Sequence, residues 1–194
     1  RTAHHIVDVS RSDRFHVTTD KGLFTAVSVV LATGGLSIPK MGATGLAHDI
    51  GKRFELSLSE TRPGLVPLTF EGDTLDLMRS LSGVSLDCHV TSNQANFREG
   101  MLFTHRGLSG PAILQISSYW RGGEEILIDL LPDLNAPAFL LMQKRTRPRT
   151  VPRTLLSEVL PSRFSEKIAH LHLPDQPMAE QKDKSLALFG EILN

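Results

Sequence analysis

The sequence holds a single cysteine, Cys88, so no disulfide can form within the chain. It lacks any apolar run near the roughly 20 residues that cross a bilayer as a helix. Its start, Arg1-Thr2-Ala3-His4-His5, carries no apolar stretch of the kind that marks a secretory signal. These absences give the expectation of a cytoplasmic protein with no membrane contact. Excess charge is missing too, since 21 acidic residues balance 21 Lys and Arg. That balance argues against a chain whose main partner is nucleic acid or an anionic membrane, local patches apart. Neither a Gly-x-Gly-x-x-Gly fingerprint nor a P-loop occurs. In the segment from Gly45 to Lys52 the two glycines are separated by five residues, and Arg53 stands where a Ser or Thr would hold magnesium. The histidines form no ligand set, because His4-His5 and His170-x-His172 lack a third ligand at metal-site spacing, and no metal is expected.

What is present is an ordinary globular composition, 40% apolar and 22% charged, in a chain long enough for real cores. The organising stretch is Val27-Ser28-Val29-Val30-Leu31-Ala32-Thr33-Gly34-Gly35. Its apolar run predicts a strand from Phe24 to Leu31 buried on both faces, as central parallel strands are. The turn that ends it lets a ligand come close to the backbone, because glycine has no Cβ. Ligands in open α/β sheets sit outside the carboxyl ends of strands. Ala32, Thr33, Gly34 and Gly35 are therefore candidates for a cofactor edge. Strands over His5 to Val9 and Phe15 to Thr19, with a turn at Asp20-Lys21-Gly22, complete a β-meander. A helix is predicted from Leu46 to Leu56, with Leu46, Ile50 and Phe54 inward and His48, Asp49, Lys52 and Arg53 toward water. The loop Gly42-Ala43-Thr44-Gly45 before it fits either a plain cap or an anion or polar cofactor edge at exposed N–H groups, with Gly42, Thr44 and Gly45 as the candidates.

The segment Arg62-Pro63-Gly64-Leu65-Val66-Pro67 reads as a hinge, because its prolines restrict their neighbours and break helices. It places a boundary after residue 63. Beyond it a short helix fits Leu75 to Leu81, and Val84 to Thr91 alternates with period two, as a half-buried antiparallel strand does. More strands fit Ala95 to Arg98, Met101 to Thr104 and Glu125 to Leu131, which makes residues 64–134 an antiparallel β-barrel. Ser109 can cap a helix beginning at Gly110-Pro111, with Ile113, Ile116 and Trp120 on one face. Seven of the eleven prolines fall between Pro132 and Pro177, and residues 135–194 read as a small helical unit. Its candidate helices are Ala136 to Lys144, Arg153 to Leu160, Ser162 to Leu171 and Ala179 to Leu193. The fold class is thus α+β and multi-domain. The chain starts without Met, and Leu186 to Leu193 reads as a helix still in progress, so a piece of something longer is expected.

Two further segments carry candidate chemistry. Phe103-Thr104-His105-Arg106-Gly107-Leu108-Ser109-Gly110-Pro111 packs His, Arg, Thr and Ser before a helix. It is either a structural turn and cap or an anion or acid–base site, in which His105 is the catalytic candidate. Lys144, Arg145, Arg147, Arg149 and Arg153 bring five positive charges without an intervening acid. They could grip RNA phosphates, although no aromatic residue is interleaved to stack bases, or form a solvated loop. Cys88 is in phase with Val84, Leu86 and Val90 and reads as a core residue.

Taken together, Leu31-Ala32-Thr33-Gly34-Gly35-Leu36-Ser37-x-Pro39, Gly42-Ala43-Thr44-Gly45, the Arg62 to Pro67 segment and Leu102-Phe103-Thr104-His105-Arg106-Gly107-Leu108-Ser109-Gly110-Pro111-Ala112 resemble a known family. It is the HI0933-like or YhiN-type family of bacterial flavoproteins, NAD(P)/FAD-dependent oxidoreductases. The resemblance implies part of a two-dinucleotide-binding FAD domain, built of the β-meander and the buried strand. An insert made of a β-barrel and a helix–two-turn–helix-like unit follows it. Ala32, Thr33, Gly34 and Gly35 match the family's Ala-Thr-Gly turn, and Ile6 matches a meander residue whose backbone faces adenine. The implied parent reaction passes a hydride from NAD(P)H through FAD to an unsaturated small-molecule substrate. The phosphate-cradling fingerprint is absent from these residues, so the expected object is a fragment inactive alone. The alternative reading is a flavin-independent binding module, for RNA or a protein partner, using the barrel and the basic helical region.

Overall fold

The computed structural model describes residues 2–42 and 44–194, and of Met41 the backbone only. Arg1 and Ala43 of the Gly42 to Gly45 loop lie outside the described residues. The chain forms two compact units, one up to Thr61 and one from Arg62.

In the first unit, strands β1 (Ile6–Arg11), β2 (Phe15–Thr19) and β3 (Gly22–Ala26) form an antiparallel sheet in the order β1-β2-β3. The turn between β2 and β3 closes because Gly22 adopts φ 135°, and because the Thr19 hydroxyl donates to the Gly22 carbonyl at 2.8 Å. Helix α1 (Leu46–Arg53) packs on this meander. Ile50 is buried, the Phe54 ring lies 5.8 Å from that of Phe15, and Arg53 pairs with Asp8 of β1 at 2.5 Å. The central buried strand expected from Phe24 to Leu31 does not form. β3 stops at Ala26, and Val27 and Val30 are 75% and 86% exposed. A strand apolar on both faces needs neighbours to pair its backbone and layers to cover it; among the described residues no strand flanks residues 27–31. The helix ends close to its expected bounds, but His48 is half-buried rather than turned to water.

In the second unit a five-stranded antiparallel sheet runs β4 (Leu68–Thr69), β7 (Gly107–Ser109), β6 (Asn96–Thr104), β5 (Ser85–Thr91), β8 (Leu127–Asp129). It forms a half-barrel, because the two short edge strands β4 and β8 are not paired with each other. β5 shows the expected alternation, with Leu86, Cys88 and Val90 inward. The two strands expected over residues 95–104 are one, since Gly100 stays in register opposite Asp87. β4 and β7 were not expected; at two and three residues they are too short to show a period. Helix α2 (Gly72–Ser80) precedes β5, and α3 (Pro111–Ser117) lies against β5 and β6, with Ala112, Ile113 and Ile116 fully buried. The N-cap of α3 is Gly110, with no side-chain cap; Ser109 belongs to β7, so the expected Ser109 cap is not made. The hinge-like segment is strapped to the far end of α3, where the Leu65 and Val66 amides donate to the Ser118 and Ser117 hydroxyls at 3.1 and 2.9 Å.

The helical part consists of α4 (Ala136–Thr146), α5 (Pro152–Leu156), α6 (Ser162–His172) and α7 (Asp183–Leu193). It shares one apolar core with the half-barrel. Phe164 of α6 sets its ring 5.6 Å from that of Phe103 of β6. Gly190 lets α7 meet α4, since a Cβ there would fall 2.4 Å from the Pro137 nitrogen. Asn194 ties α7 to the entry of α4: its side-chain oxygen accepts the Ala136 amide at 2.8 Å, and its amide donates to Asp129 and the Leu131 and Leu134 carbonyls.

Candidate functional site

The candidate cofactor edge lies in the first unit. Ala32, Gly34 and Gly35 are exposed and Thr33 is half-buried. The Thr33 hydroxyl is buried yet has no hydrogen-bond partner among the described residues. An orphaned polar atom of this kind costs free energy unless something binds it. Gly34 adopts φ 79°, and a Cβ at Gly34 or Gly35 would meet nothing within 4 Å, so the turn presents open backbone. These features fit the edge of a flavin nucleotide, which would contact a hydroxyl and close backbone. They do not supply a cradle for its phosphates. A cavity of about 210 Å³ lies in the same unit between β1, β2, Val29, Leu31 and α1, and its lining, apolar apart from Arg11, suits hydrocarbon rather than a nucleotide.

The loop before α1 serves as a cap. Gly42 at φ 87° closes the short 3-10 turn Pro39–Met41 by donating to the Pro39 carbonyl at 3.0 Å. Gly45 is the N-cap of α1, and the Leu46 amide reaches the Thr44 hydroxyl at 3.5 Å. Asp49 sits in the first turn with a carboxylate oxygen 3.6 Å from where a Gly45 Cβ would be. A carboxylate there complements the positive helix end and opposes a second anion. Ile6 enters the sheet beside a register shift between Ile6 and Asp8.

The His105 motif is architectural. β6 and β7 form a tight hairpin whose tip is His105-Arg106, both exposed. The Thr104 hydroxyl donates to the Gly107 carbonyl at 3.0 Å and accepts the Arg106 and Gly107 amides at 3.3 and 3.1 Å. Gly107 is required because β4 pairs closely beside it: a Cβ would lie 2.1 Å from the Leu68 carbonyl oxygen. Gly110, at φ 93°, is also confined, since a Cβ there would lie 2.7 Å from the Gly100 carbonyl oxygen. No side chain is hydrogen-bonded to His105 among the described residues, so no second group orients it for acid–base work.

The basic cluster is mostly neutralised. Lys144 pairs with Asp183 at 2.5 Å and donates to the Gln181 carbonyl at 2.7 Å. Arg147 pairs with Glu158 and Arg153 with Asp175, both at 2.7 Å. Arg145 and Arg149 remain exposed with no ion pair among the described residues. The carboxylates come from α5, α6 and α7 or their connections, which an inspection of residues 144–153 alone cannot show. The Lys144 ammonium holds the Asp183 carboxyl below its usual range, and the charge of Arg145 adds to this. Cys88 is fully buried, donates its thiol to the Glu99 carbonyl at 3.6 Å, and is pushed up to about 11 by burial, with Asp87 and Asp129 adding to the rise. It is a core residue. Among the described residues no three His, Cys, Asp or Glu side chains gather to hold a metal, and no helix is long and apolar enough to cross a membrane.

Residues 62–194 match the family described as the HI0933-like protein barrel and H2TH domain. The chain belongs to the HI0933-like family. That membership bears out the resemblance carried by the motifs, and the half-barrel with its helical unit is the region that matches. A protein of Escherichia coli K12 named ribosomal RNA dihydrouridine synthase is 44% identical over 149 residues, 76% of this chain and 37% of the relative. A Haemophilus influenzae Rd protein of the same name is 37% identical over 154 residues, 79% of this chain and 38% of the relative. The chain thus spans less than two-fifths of the length of these HI0933-like relatives.

Proposed function

We propose that this chain is part of a FAD-dependent reductase that converts uridine to dihydrouridine in RNA. The observation that carries the reading is the 44% identity to a relative bearing that activity in its name. The C5=C6 bond of uracil is conjugated to a carbonyl, so it is an activated unsaturated bond of the class that the family resemblance implies. Its reduction adds a hydride to one carbon and a proton to the other, while NAD(P)H is oxidised to NAD(P)+. When bound, FAD supplies the two-electron relay between them. Ala32, Thr33, Gly34 and Gly35 would hold one edge of it, the Thr33 hydroxyl finding there the partner it lacks. Ile6 would present backbone at the adenine end. Gly42 closes the 3-10 turn, and Thr44 and Gly45 lie at the start of α1 with Asp49 disfavouring a phosphate there.

RNA, rather than a free small molecule, is the substrate class this reading favours. Arg145 and Arg149 are the two members of the basic cluster left to meet phosphates. The test uses the whole gene product, purified with FAD and supplied with NAD(P)H and ribosomal RNA from cells lacking the gene. RNA-dependent oxidation of the nicotinamide, with Thr33→Val retaining less flavin after desalting, is the expected result. Nicotinamide oxidation indifferent to RNA would sink the substrate, and flavin retention unchanged by Thr33→Val would sink the assigned edge.

A further inference from the structure

Within the second unit a cleft of about 570 Å³ opens where β5, β6 and the segment after β8 meet the turn between α5 and α6. Its volume is in the range of specific ligand sites, roughly 300 to 1,000 Å³. The floor is apolar, with Leu86, Leu131 and Leu160 buried and Val159 41% exposed on the wall. Four charged groups line it: Asp87, Arg98, Asp133 and Glu158. Arg98 pairs with Asp133, and Glu158 with Arg147, so each of these carboxylates already has one cation. Asp87 has no ion pair or side-chain hydrogen bond among the described residues, and Gly100 opposite it puts no side chain in its way.

The sign of the field decides the ligand. The guanidinium of Arg98 is held in its charged form by Asp133 first and also by Asp87 and Asp129. Among the lining residues three carboxylates face one guanidinium, which disfavours phosphate. A bare metal ion would leave the apolar floor uncovered. A long cationic side chain satisfies both parts, since its alkyl stem lies along apolar surface while its charge stays at the wet rim. A carboxylate can accept from more than one donor, so Asp133 and Glu158 can take a second cation without releasing the first.

We propose that this cleft docks a basic peptide segment of a partner protein, with a Lys or Arg stem on the floor of Leu86, Leu131 and Val159 and its charge against Asp87, Asp133 and Glu158. The inference is independent of the flavin reading and uses a different unit of the chain. It places protein recognition at the seam between half-barrel and helices.

The experiment is amide NMR of the isotope-labelled chain titrated with acetyl-Leu-Lys-Leu-Lys-amide, with acetyl-Leu-Glu-Leu-Glu-amide as the control. Saturable shifts clustered at Asp87, Leu131, Asp133 and Val159, given by the basic peptide only, are expected. The double variant Asp87→Asn, Glu158→Gln should weaken binding by roughly tenfold, about threefold for each exposed carboxylate contact. Val159→Arg, which places a cation in the cleft from the chain itself, should weaken it further. Both variants change exposed residues, and thermal unfolding verifies that they fold. Equal binding of the two peptides, affinity unchanged in the variants, or an oligouridylate shifting the same amides would each overturn the proposal, the last by placing RNA there instead.

Discussion

Replacing Gly107 by alanine tests whether the Phe-Thr-His-x-Gly-Leu-Ser-Gly-Pro segment is framework. The new Cβ would lie 2.1 Å from the Leu68 carbonyl oxygen and 3.0 Å from Phe70 Cδ2, against the roughly 3.5 Å at which non-bonded heavy atoms sit comfortably. The obstacle at Leu68 is backbone, so β4 must move away by more than 1 Å, on the difference of these distances. That displacement removes the pairing of Leu68 with Leu108 and of Thr69 with Gly107. Losing about two backbone hydrogen bonds costs about 2 kcal/mol. Alanine at a φ of 148° adds about 1 kcal/mol. The sum is about 3 kcal/mol, a large part of the stability of a domain this size. Equilibrium urea unfolding read by the single tryptophan, Trp120, measures it, since the indole donates to the Glu124 carbonyl only in the folded unit. His105→Ala at the exposed hairpin tip is the companion and should stay within ~0.5 kcal/mol of the parent. A Gly107→Ala protein within ~1 kcal/mol of the parent, or a His105→Ala protein as damaged as Gly107→Ala, would refute the structural reading of the motif.

Three other outcomes follow from the geometry. Asn194→Ala removes one acceptor and three donations that join α7, β8 and the start of α4, and should destabilise the second unit by about 1–3 kcal/mol in the same urea assay. The folded Cys88 thiol titrates near 11 against 9.0 when unfolded, so its stabilising share is present below pH 9.0 and lost as the pH rises toward 11; unfolding curves of the parent should therefore fall more steeply over that window than those of Cys88→Ala. Arg145→Ala with Arg149→Ala should weaken binding of ribosomal RNA fragments and reduce the salt slope by about 2, as read by fluorescence anisotropy, whereas Arg153→Ala should change the slope little because Asp175 already pairs with it.

The parts of the fold written in local periodicity were legible. The first two strands of the meander, α1, the alternation of β5, α4 and α6 all appear close to where spacing puts them. Cys88 was readable as core from its phase with Leu86 and Val90. What local pattern cannot carry is the identity of neighbours. The run from Val27 to Leu31 has the composition of a buried strand, but burial requires partners, and none flanks it among the described residues. The cations from Lys144 to Arg153 look unopposed in sequence because Glu158, Asp175 and Asp183 reach them only through the fold of the helical unit. The meaning of the His105 motif was hidden for a similar reason, since the demand for Gly107 comes from β4, about forty residues earlier in the chain. The candidate flavin edge was visible as Ala-Thr-Gly-Gly, whereas the unpartnered state of the Thr33 hydroxyl needed coordinates. Asp87 and Arg98 face outward by simple alternation, yet only the strand register shows that they share a cleft with Asp133 and Glu158.

The central claim is that this chain serves a flavin-dependent reductase of ribosomal RNA. Nucleoside mass spectrometry of ribosomal RNA tests it most directly, comparing the parent strain, a strain lacking the gene, and that strain carrying the gene with Thr33→Val and Gly34→Val together. Dihydrouridine lost with the gene, restored by the unaltered gene and not by the variant, is the result the account predicts. Dihydrouridine unchanged when the gene is removed would contradict it.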